Sequence, residues 1–285
     1  MSSSCARANF VLNRTMTGNN DFQLSKTAAE SYERQKVPAI FSPMADATLN
    51  AIVLPKEAMV LDLACGTGAV ARAVAKRLPE PSHIAGADLN PDMIEIARRQ
   101  TPECPHSFEW VAAPASALPF ENARFDLAFC QQGLQFFPDK PAALAEARRV
   151  MQTDGRLVLT CWAAIPPFFK IVSEVLRRYI GEAAAAEAVV PFVWNDSNQT
   201  RSLISNAGFE CRPASTLPIT RIMAASKQAM REEILATPNE TALRAAGDSV
   251  VDAIVTEILS AVAHFRKGEA LAMPQEALLF EAIAR

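Results

Sequence analysis

Residues 60–75 read VLDLACGTGAVARAVA, and this stretch decides the fold. An apolar run carrying one acid, Asp62, meets a glycine pair, Gly66 and Gly68, and a helically spaced pattern follows at once. Such a turn between a strand and a helix leaves main-chain groups bare to a ligand, because glycine carries no Cβ. The spacing Gly66-x-Gly68-x-x-Ala71 satisfies the dinucleotide fingerprint. The turn alone therefore leaves a dinucleotide and another adenosine-bearing cofactor both open.

Working outward, strand-like and helix-like segments alternate. Residues 59–64 (MVLDLA) predict a first strand and 69–78 a helix that stops before Pro79 and Pro81. Residues 83–88 (HIAGAD) predict a second strand, and 92–100 a helix entered through Pro91, which suits a first helical turn. Strands over 108–113 and 125–131, a helix over 141–151 and a strand over 155–163 complete the series. This rhythm implies right-handed β-α-β units in a parallel sheet covered on both faces.

Beyond 163 the spacing becomes mostly helical. Residues 211–224 hold two prolines and suit an edge strand or long arm, and 276–284 (EALLFEAIA) suit a closing strand. We expect one domain over 21–285, with helices over 22–54 broken by Pro38 and Pro43, a cofactor-binding core over 55–163, and helical lid insertions over 164–195 and 226–267. Residues 1–20, with Arg7 and Arg14 and no acid, faintly resemble a transit peptide, but a disordered N-terminus is the reading adopted.

Composition narrows the function. The 285 residues are 50% hydrophobic with a net charge of −3, which gives no electrostatic reason for a nucleic-acid partner. No apolar run is long enough to span a bilayer. Six scattered cysteines without a C-x-x-C pair indicate reduced thiols in a cytoplasmic setting and no metal site.

Two acids then bear on the cofactor. Asp88 ends the second strand twenty residues after Gly68, where a carboxylate can accept hydrogen bonds from ribose hydroxyls in either cofactor class. Asp62 lies inside the first strand, and an acid there suits a cationic cofactor head better than a pyrophosphate. The string VLDLACGTG…IAGADLNPDMIEIAR…ALPFENARFDLAFCQQGLQFFPD…LAEARRVMQTDGRLVLT resembles the class I S-adenosylmethionine-dependent methyltransferases. It is most similar to the branch holding the ubiquinone/menaquinone C-methyltransferases and many small-molecule methyltransferases. The resemblance implies a Rossmann-like α/β fold, with a seven-stranded, mostly parallel sheet and S-adenosyl-L-methionine as cofactor.

It also implies roles. Ala64, Cys65, Gly66 and Gly68 would face the methionine part, Asp62 would anchor the turn or the amino group, and Asp88 would hold the ribose. Leu89 and Met93 would line the adenine, and Cys130 and Gln131 would sit near the sulfonium. Tyr32 would close over the cofactor; plain packing at a helix junction is its alternative. The family commonly places Asp after the third strand, where this chain has Pro114, so Ala115 and Ser116 would read the adenine.

For the acceptor, Gln131 and Gln135 with Tyr32 are the polar candidates for positioning or catalysis. Gln132 lies beside them, and a glutamine orients but takes no proton at neutral pH. His83, His106 and His264 read as packing or surface residues. Of Phe136, Phe137, Trp162, Phe168, Phe169, Phe192 and Trp194, about half read as ordinary core and the rest suggest an apolar, lidded pocket for a small molecule. The expected activity is in-line methyl transfer to O, N or C of a small organic acceptor. A protein of this fold that binds the cofactor without methyl transfer, or a nicotinamide oxidoreductase, are the alternatives. The oligomeric state stays open.

Overall fold

The computed structural model describes residues 25–285. The expectation of a disordered segment over 1–20 lies outside the described residues, as do positions 22–24 of the expected N-terminal helices. Helix α1 (Lys26–Ser31) is capped by Ser25, whose hydroxyl accepts from the Ala28 N–H. It continues into a wide π-helical segment, Tyr32–Phe41, and then into α2 (Ser42–Ala51). The two prolines expected to break this region do not. Pro43 occupies the first turn of α2, where no intrahelical N–H bond is required. Pro38 sits inside the wide segment, whose five-residue closure is seen where the Ser42 N–H donates to the Val37 carbonyl.

The core then follows the expected alternation: β1 (Met59–Leu63), α3 (Ala69–Ala75), β2 (His83–Asp88), α4 (Pro91–Arg99), β3 (Ser107–Ala112), β4 (Phe125–Gln131), α5 (Lys140–Val150) and β5 (Met151–Trp162). Asn90 and Asp139 cap α4 and α5 by accepting main-chain N–H groups at 2.9 Å. The later part contains α6 (Pro167–Tyr179), α7 (Glu182–Glu187), α8 (Ser197–Asn206), β6 (Phe209–Cys211), β7 (Ser215–Ala224), α9 (Lys227–Leu235), α10 (Glu240–Ala246), α11 (Asp248–Ala261), β8 (Arg266–Lys267) and β9 (Ala270–Ala284).

The main sheet runs β3-β2-β1-β4-β5-β9-β6, with β7 and β8 also paired to β9. Strands β1 to β5 are mutually parallel, and all pairs made by β9 are antiparallel. The strand order reverses between β1 and β4, so a crevice opens beyond the carboxyl end of β1, where open α/β sheets bind ligands.

Nine strands form among the described residues, two more than expected. The two extra come from the expected arm over 211–224, which divides into β6 and β7, and from the short β8. Strand β9 is 15 residues long and pairs with four strands: β5 against its second half, β7 along most of its length, and β8 and β6 at its two ends. Pairing with β5 ends at Trp162↔Ala277, so residues 270–276 project past the carboxyl end of β5. There they pair with β7, which is the edge strand its prolines suggested.

Two apolar layers sandwich the sheet. One packs α2, α3 and α4 with Trp162 and Phe192, and the other packs α5 and α8 around Phe125, Leu144 and Phe280. A third cluster joins α6, α7, α9, α10 and α11 to Leu271 and Met273 of β9. The two helical insertions thus pack on each other against the projecting part of β9. Phe168 and Phe192 are buried in these layers, whereas Trp194 is not with them. Its ring packs against the α5–α8 layer, lies over the Lys140 ammonium at 4.7 Å, and donates from Nε1 to the Thr200 hydroxyl. Trp194 therefore does not belong to the expected aromatic mouth.

Candidate active site

The chain between β1 and α3 bends through left-handed conformations at Ala64 (φ 57°), Gly66 (φ 53°) and Gly68 (φ 82°). Gly68 has a second requirement: a Cβ there would sit 2.6 Å from the Trp110 ring. The turn is tied down from below. Cys65 N–H donates to the Ala87 carbonyl at 3.1 Å and Gly68 N–H to the Cys65 carbonyl at 2.9 Å.

Both acids support this turn directly. Asp62, buried in β1, accepts from the Ala71 N–H at 3.0 Å and so pins the start of α3. Burial pushes its pKa up to about 7, against the opposing Ala71 hydrogen bond and with Asp88 adding to the rise. Asp88 accepts from the Gly66 N–H at 2.8 Å with one oxygen and from the Asn90 N–H at 2.9 Å with the other. Burial raises its pKa too, and those two N–H groups oppose the rise. Asp88 is thus a brace between two loops, with lone pairs left on each oxygen.

A cleft of about 310 Å³ opens above the turn. Of the residues singled out in the sequence, Tyr32, Asp62, Ala64, Cys65, Gly66 and Gln131 line it. Phe41, Thr67, Ala69 and Val70 complete the lining. Sequence reasoning passed over these four, although Thr67 lies between the two glycines. Tyr32 stacks on Phe41 with ring centroids 5.2 Å apart, and a Cβ on Gly66 would project to 4.0 Å from the Tyr32 hydroxyl. The bare backbone at Gly66 thus faces the tyrosine across the cleft. The π-helix is held there by Glu33, paired at 2.8 Å with Arg72, which in turn donates to the Thr67 carbonyl.

Burial, then the carboxylates of Asp88, Glu33 and Asp62, raise the Tyr32 pKa above the ordinary tyrosine value. Its hydroxyl stays protonated and can donate a hydrogen bond, but it is no general base at neutral pH. Gln131 donates from Nε2 to the Phe41 carbonyl at 3.1 Å, while its buried Oε1 has no protein partner. The Thr67 hydroxyl is likewise buried and unpaired. Such atoms call for a polar ligand.

Other expected residues stand behind the cleft. Met93 packs with Ile96 against Ala29 and Tyr32. Leu89 is half-buried after β2, and Pro114, Ala115 and Ser116 form the turn after β3, closed where the Ala117 N–H donates to the Pro114 carbonyl. Cys130 is enclosed in the α5–α8 layer, and burial pushes its thiol up to about 12. Gln135 is also buried; its Nε2 donates to Gln132 Oε1 at 3.2 Å, and Gln132 donates to the Met44 sulfur. The structure does not bring Gln135 into the cleft lining. His83 and His106 pack at the opposite sheet end, where His106 bonds the Ala75 carbonyl and the Ser82 N–H. Among the described residues no group of three or more His, Cys, Asp or Glu could hold a metal ion. No helix among them is long and apolar enough to cross a membrane.

Residues 61–159 match the methyltransferase domain family. The chain is 36% identical over 102 residues to a ubiquinone/menaquinone biosynthesis C-methyltransferase of Citrifermentans bemidjiense, covering 35% of this chain and 43% of that protein. It is 35% identical over 134 residues to a demethylmenaquinone methyltransferase of Lactiplantibacillus plantarum, covering 46% and 56% respectively. The chain thus spans about half the length of these curated relatives. In fold it is similar to Haemonchus contortus phosphoethanolamine N-methyltransferase 2, solved with S-adenosyl-L-methionine, at 17% identity and a TM-score of 0.53 over 91% of this chain and 57% of that one. Residues 61–159 thus match a methyltransferase domain, and the chain shares its fold with this N-methyltransferase.

Proposed function

We propose that this chain transfers a methyl group from S-adenosyl-L-methionine to a small organic acceptor. One observation carries the reading: the left-handed turn at Gly66 is joined to Asp88 at 2.8 Å and faces Tyr32 across a cleft with unpaired buried acceptors. When bound, the cofactor supplies a methyl group already activated by a sulfonium. Positioning and exclusion of water are then the protein's main tasks.

In this reading Ala64, Cys65, Gly66 and Gly68 present backbone to the methionine part. Asp62 offers negative charge to its ammonium, and Asp88 uses its remaining lone pairs on the ribose. Leu89 and Met93, with the turn Pro114–Ser116, border the adenine. Pro114 offers neither a carboxylate nor an N–H, so the Ala115 and Ser116 backbone takes that task. Gln131 Oε1 faces the reacting end, and Tyr32 and Phe41 roof it against water. The helices over 26–51, the core and the insertions 164–195 and 226–267 act as one domain, the insertions forming the lid on the acceptor side.

Calorimetry with S-adenosylhomocysteine and with NADH tests the cofactor assignment. Binding of the first and not the second is expected, and the reverse result overturns it. Transfer of label from methyl-labelled cofactor, read by mass spectrometry, separates a methyltransferase from a protein that only binds.

A further inference from the structure

Past the carboxyl end of β5 the arm made by β7 and β9 carries a polar group that the cofactor site does not use. Along the inward face of β7 the buried residues are Leu217, Ile219 and Arg221, and opposite them on β9 are Ala277, Gln275 and Met273. Arg221 and Gln275 are therefore diagonal neighbours on one face of an antiparallel pair, within reach of long side chains. Both are at least 95% buried. Gln275 has no protein partner for either amide atom, and Arg221 has none for Nε.

Arg221 Nη1 lies 3.0 Å from Glu233 Oε1, and Lys36 Nζ lies 2.5 Å from Glu233 Oε2. A buried guanidinium and a half-buried amine thus share one carboxylate. Burial favours protonation of Glu233, but Arg221 and Lys36 outweigh it and hold its pKa near 2. Burial depresses the Lys36 pKa, Glu233 opposes this, and Arg221 adds to the depression. Three unpaired polar atoms remain beside the buried guanidinium, an arrangement that is costly unless a partner completes it.

The surroundings say which ligand. The Arg221 guanidinium lies 5.5 Å from the Phe169 ring centroid; Phe169 is 4.4 Å from Phe192, and Phe192 is 5.3 Å from Trp162. A run of aromatic rings therefore leads from the cation to the end of β5. Strand β7, which carries Arg221, also packs against the π-helical segment that bears Tyr32 and Lys36.

We propose that Arg221 and Gln275 form the acceptor's carboxylate-binding subsite, so that the methyl acceptor is a small aromatic carboxylic acid. The two oxygens of a carboxylate match the two free donors, Arg221 Nε–H and the Gln275 amide, and a monoanion is repelled less by Glu233 than a phosphate dianion would be. The guanidinium supplies Nε–H, the Gln275 amide supplies a second donor, and Phe169, Phe192 and Trp162 flank the ring. The proposal rests on the methyltransferase reading above.

The test uses the full chain saturated with S-adenosylhomocysteine, whose own binding is measured first and reports separately on the cofactor assignment. Matched pairs serve as probes: 4-hydroxybenzoate, 3,4-dihydroxybenzoate and 4-hydroxyphenylacetate, each with its methyl ester, titrated by ligand-observed NMR. At least one acid is expected to bind tenfold or more tightly than its ester. Arg221→Met and Gln275→Leu should each weaken that acid at least tenfold while leaving S-adenosylhomocysteine affinity within twofold. Arg221→Met leaves the Lys36–Glu233 pair intact. Gln275→Leu removes an unpaired buried amide, so its melting temperature should hold or rise, which a purely structural role would not give. If no acid binds more tightly than its ester, or if both variants bind acid as wild type does, the subsite does not exist.

Discussion

Asp62→Asn is the most informative single change at the cleft, because the structure fixes both the sign and the size of its effect. The carboxyl is buried in β1, and burial pushes its pKa up to about 7 from an ordinary value of 3.8. A group whose folded pKa exceeds its unfolded one binds its proton more tightly in the native state. Its contribution to stability is fully present below about pH 4 and is lost as pH rises through 7. Three units at about 1.4 kcal/mol each give roughly 4 kcal/mol over the whole range, of which about 3 kcal/mol falls between pH 5 and pH 8. Asparagine does not titrate, and its amide oxygen can still accept from the Ala71 N–H. The other titrating groups are common to the two proteins, and among them Asp88 is the neighbour whose own titration the substitution also alters, by removing the charge it is coupled to. Urea unfolding of wild type and Asp62→Asn at pH 5, 6, 7 and 8 measures the difference directly. The variant should gain on wild type by about 3 kcal/mol across that interval. A stability difference that stays flat within 0.5 kcal/mol, a bound set by about one sixth of the expected change, refutes the assignment of a protonatable acid under the glycine turn.

Other changes probe the same framework. A cationic ligand beside Asp62 should depress its pKa, so S-adenosyl-L-methionine binding at pH 7 should release up to about half a proton, read by calorimetry in buffers of differing ionisation enthalpy. Asp88→Ala removes the acceptors of the Gly66 and Asn90 N–H groups, each charge-assisted bond being worth about 1.5–3 kcal/mol. It should lower both unfolding stability and S-adenosylhomocysteine affinity, the latter at least tenfold, and unchanged values by urea titration and calorimetry would show that the brace is idle. Gly68→Ala places a Cβ 2.6 Å from the Trp110 ring at φ 82° and should destabilise by about 2 kcal/mol or more, seen in thermal unfolding. Arg72→Met frees Glu33 from α3 and should speed S-adenosylhomocysteine dissociation several-fold in stopped flow, with little change in melting temperature.

The β-α-β core was legible because local signals agreed there. Alternating apolar runs, Pro91 in the first turn of α4 and the glycine turn before α3 all specified the same units. The start of β5 was not legible. Residues 151–154 read as a helix end and loop, yet the strand begins at Met151, with a register shift against β4 and a left-handed Asp154 absorbing the irregularity. Nor was the length of β9, since Pro274 and Gln275 look like a loop until β7 supplies a partner strand. Within the site, the turn and its two acids could be read locally, but their mutual bracing could not: Asp88 meets Gly66 only once β1 and β2 pair. The cluster of Lys36, Arg221, Glu233 and Gln275 had no sequence signal. Its members come from four separate elements, and charge pairs between distant elements leave no period in a sequence.

Strand β9 also bears on how the protein is made. A nascent chain that has reached residue 267 holds β1 to β5, β6 and β7, yet lacks the strand to which β5, β6 and β7 all hydrogen-bond. Until β9 is synthesised, β5 ends the parallel sheet as an unpaired edge, and β7 has no strand partner. Exposed edges of this kind recruit other chains, and the danger lasts as long as the ribosome takes to add the missing segment. At about 5–20 residues per second the fifteen residues of β9 take on the order of one to three seconds to appear. Ribosome pausing in that interval would thus leave both β5 and β7 open to aggregation, whereas pausing earlier, before β7, would leave the β5 edge alone.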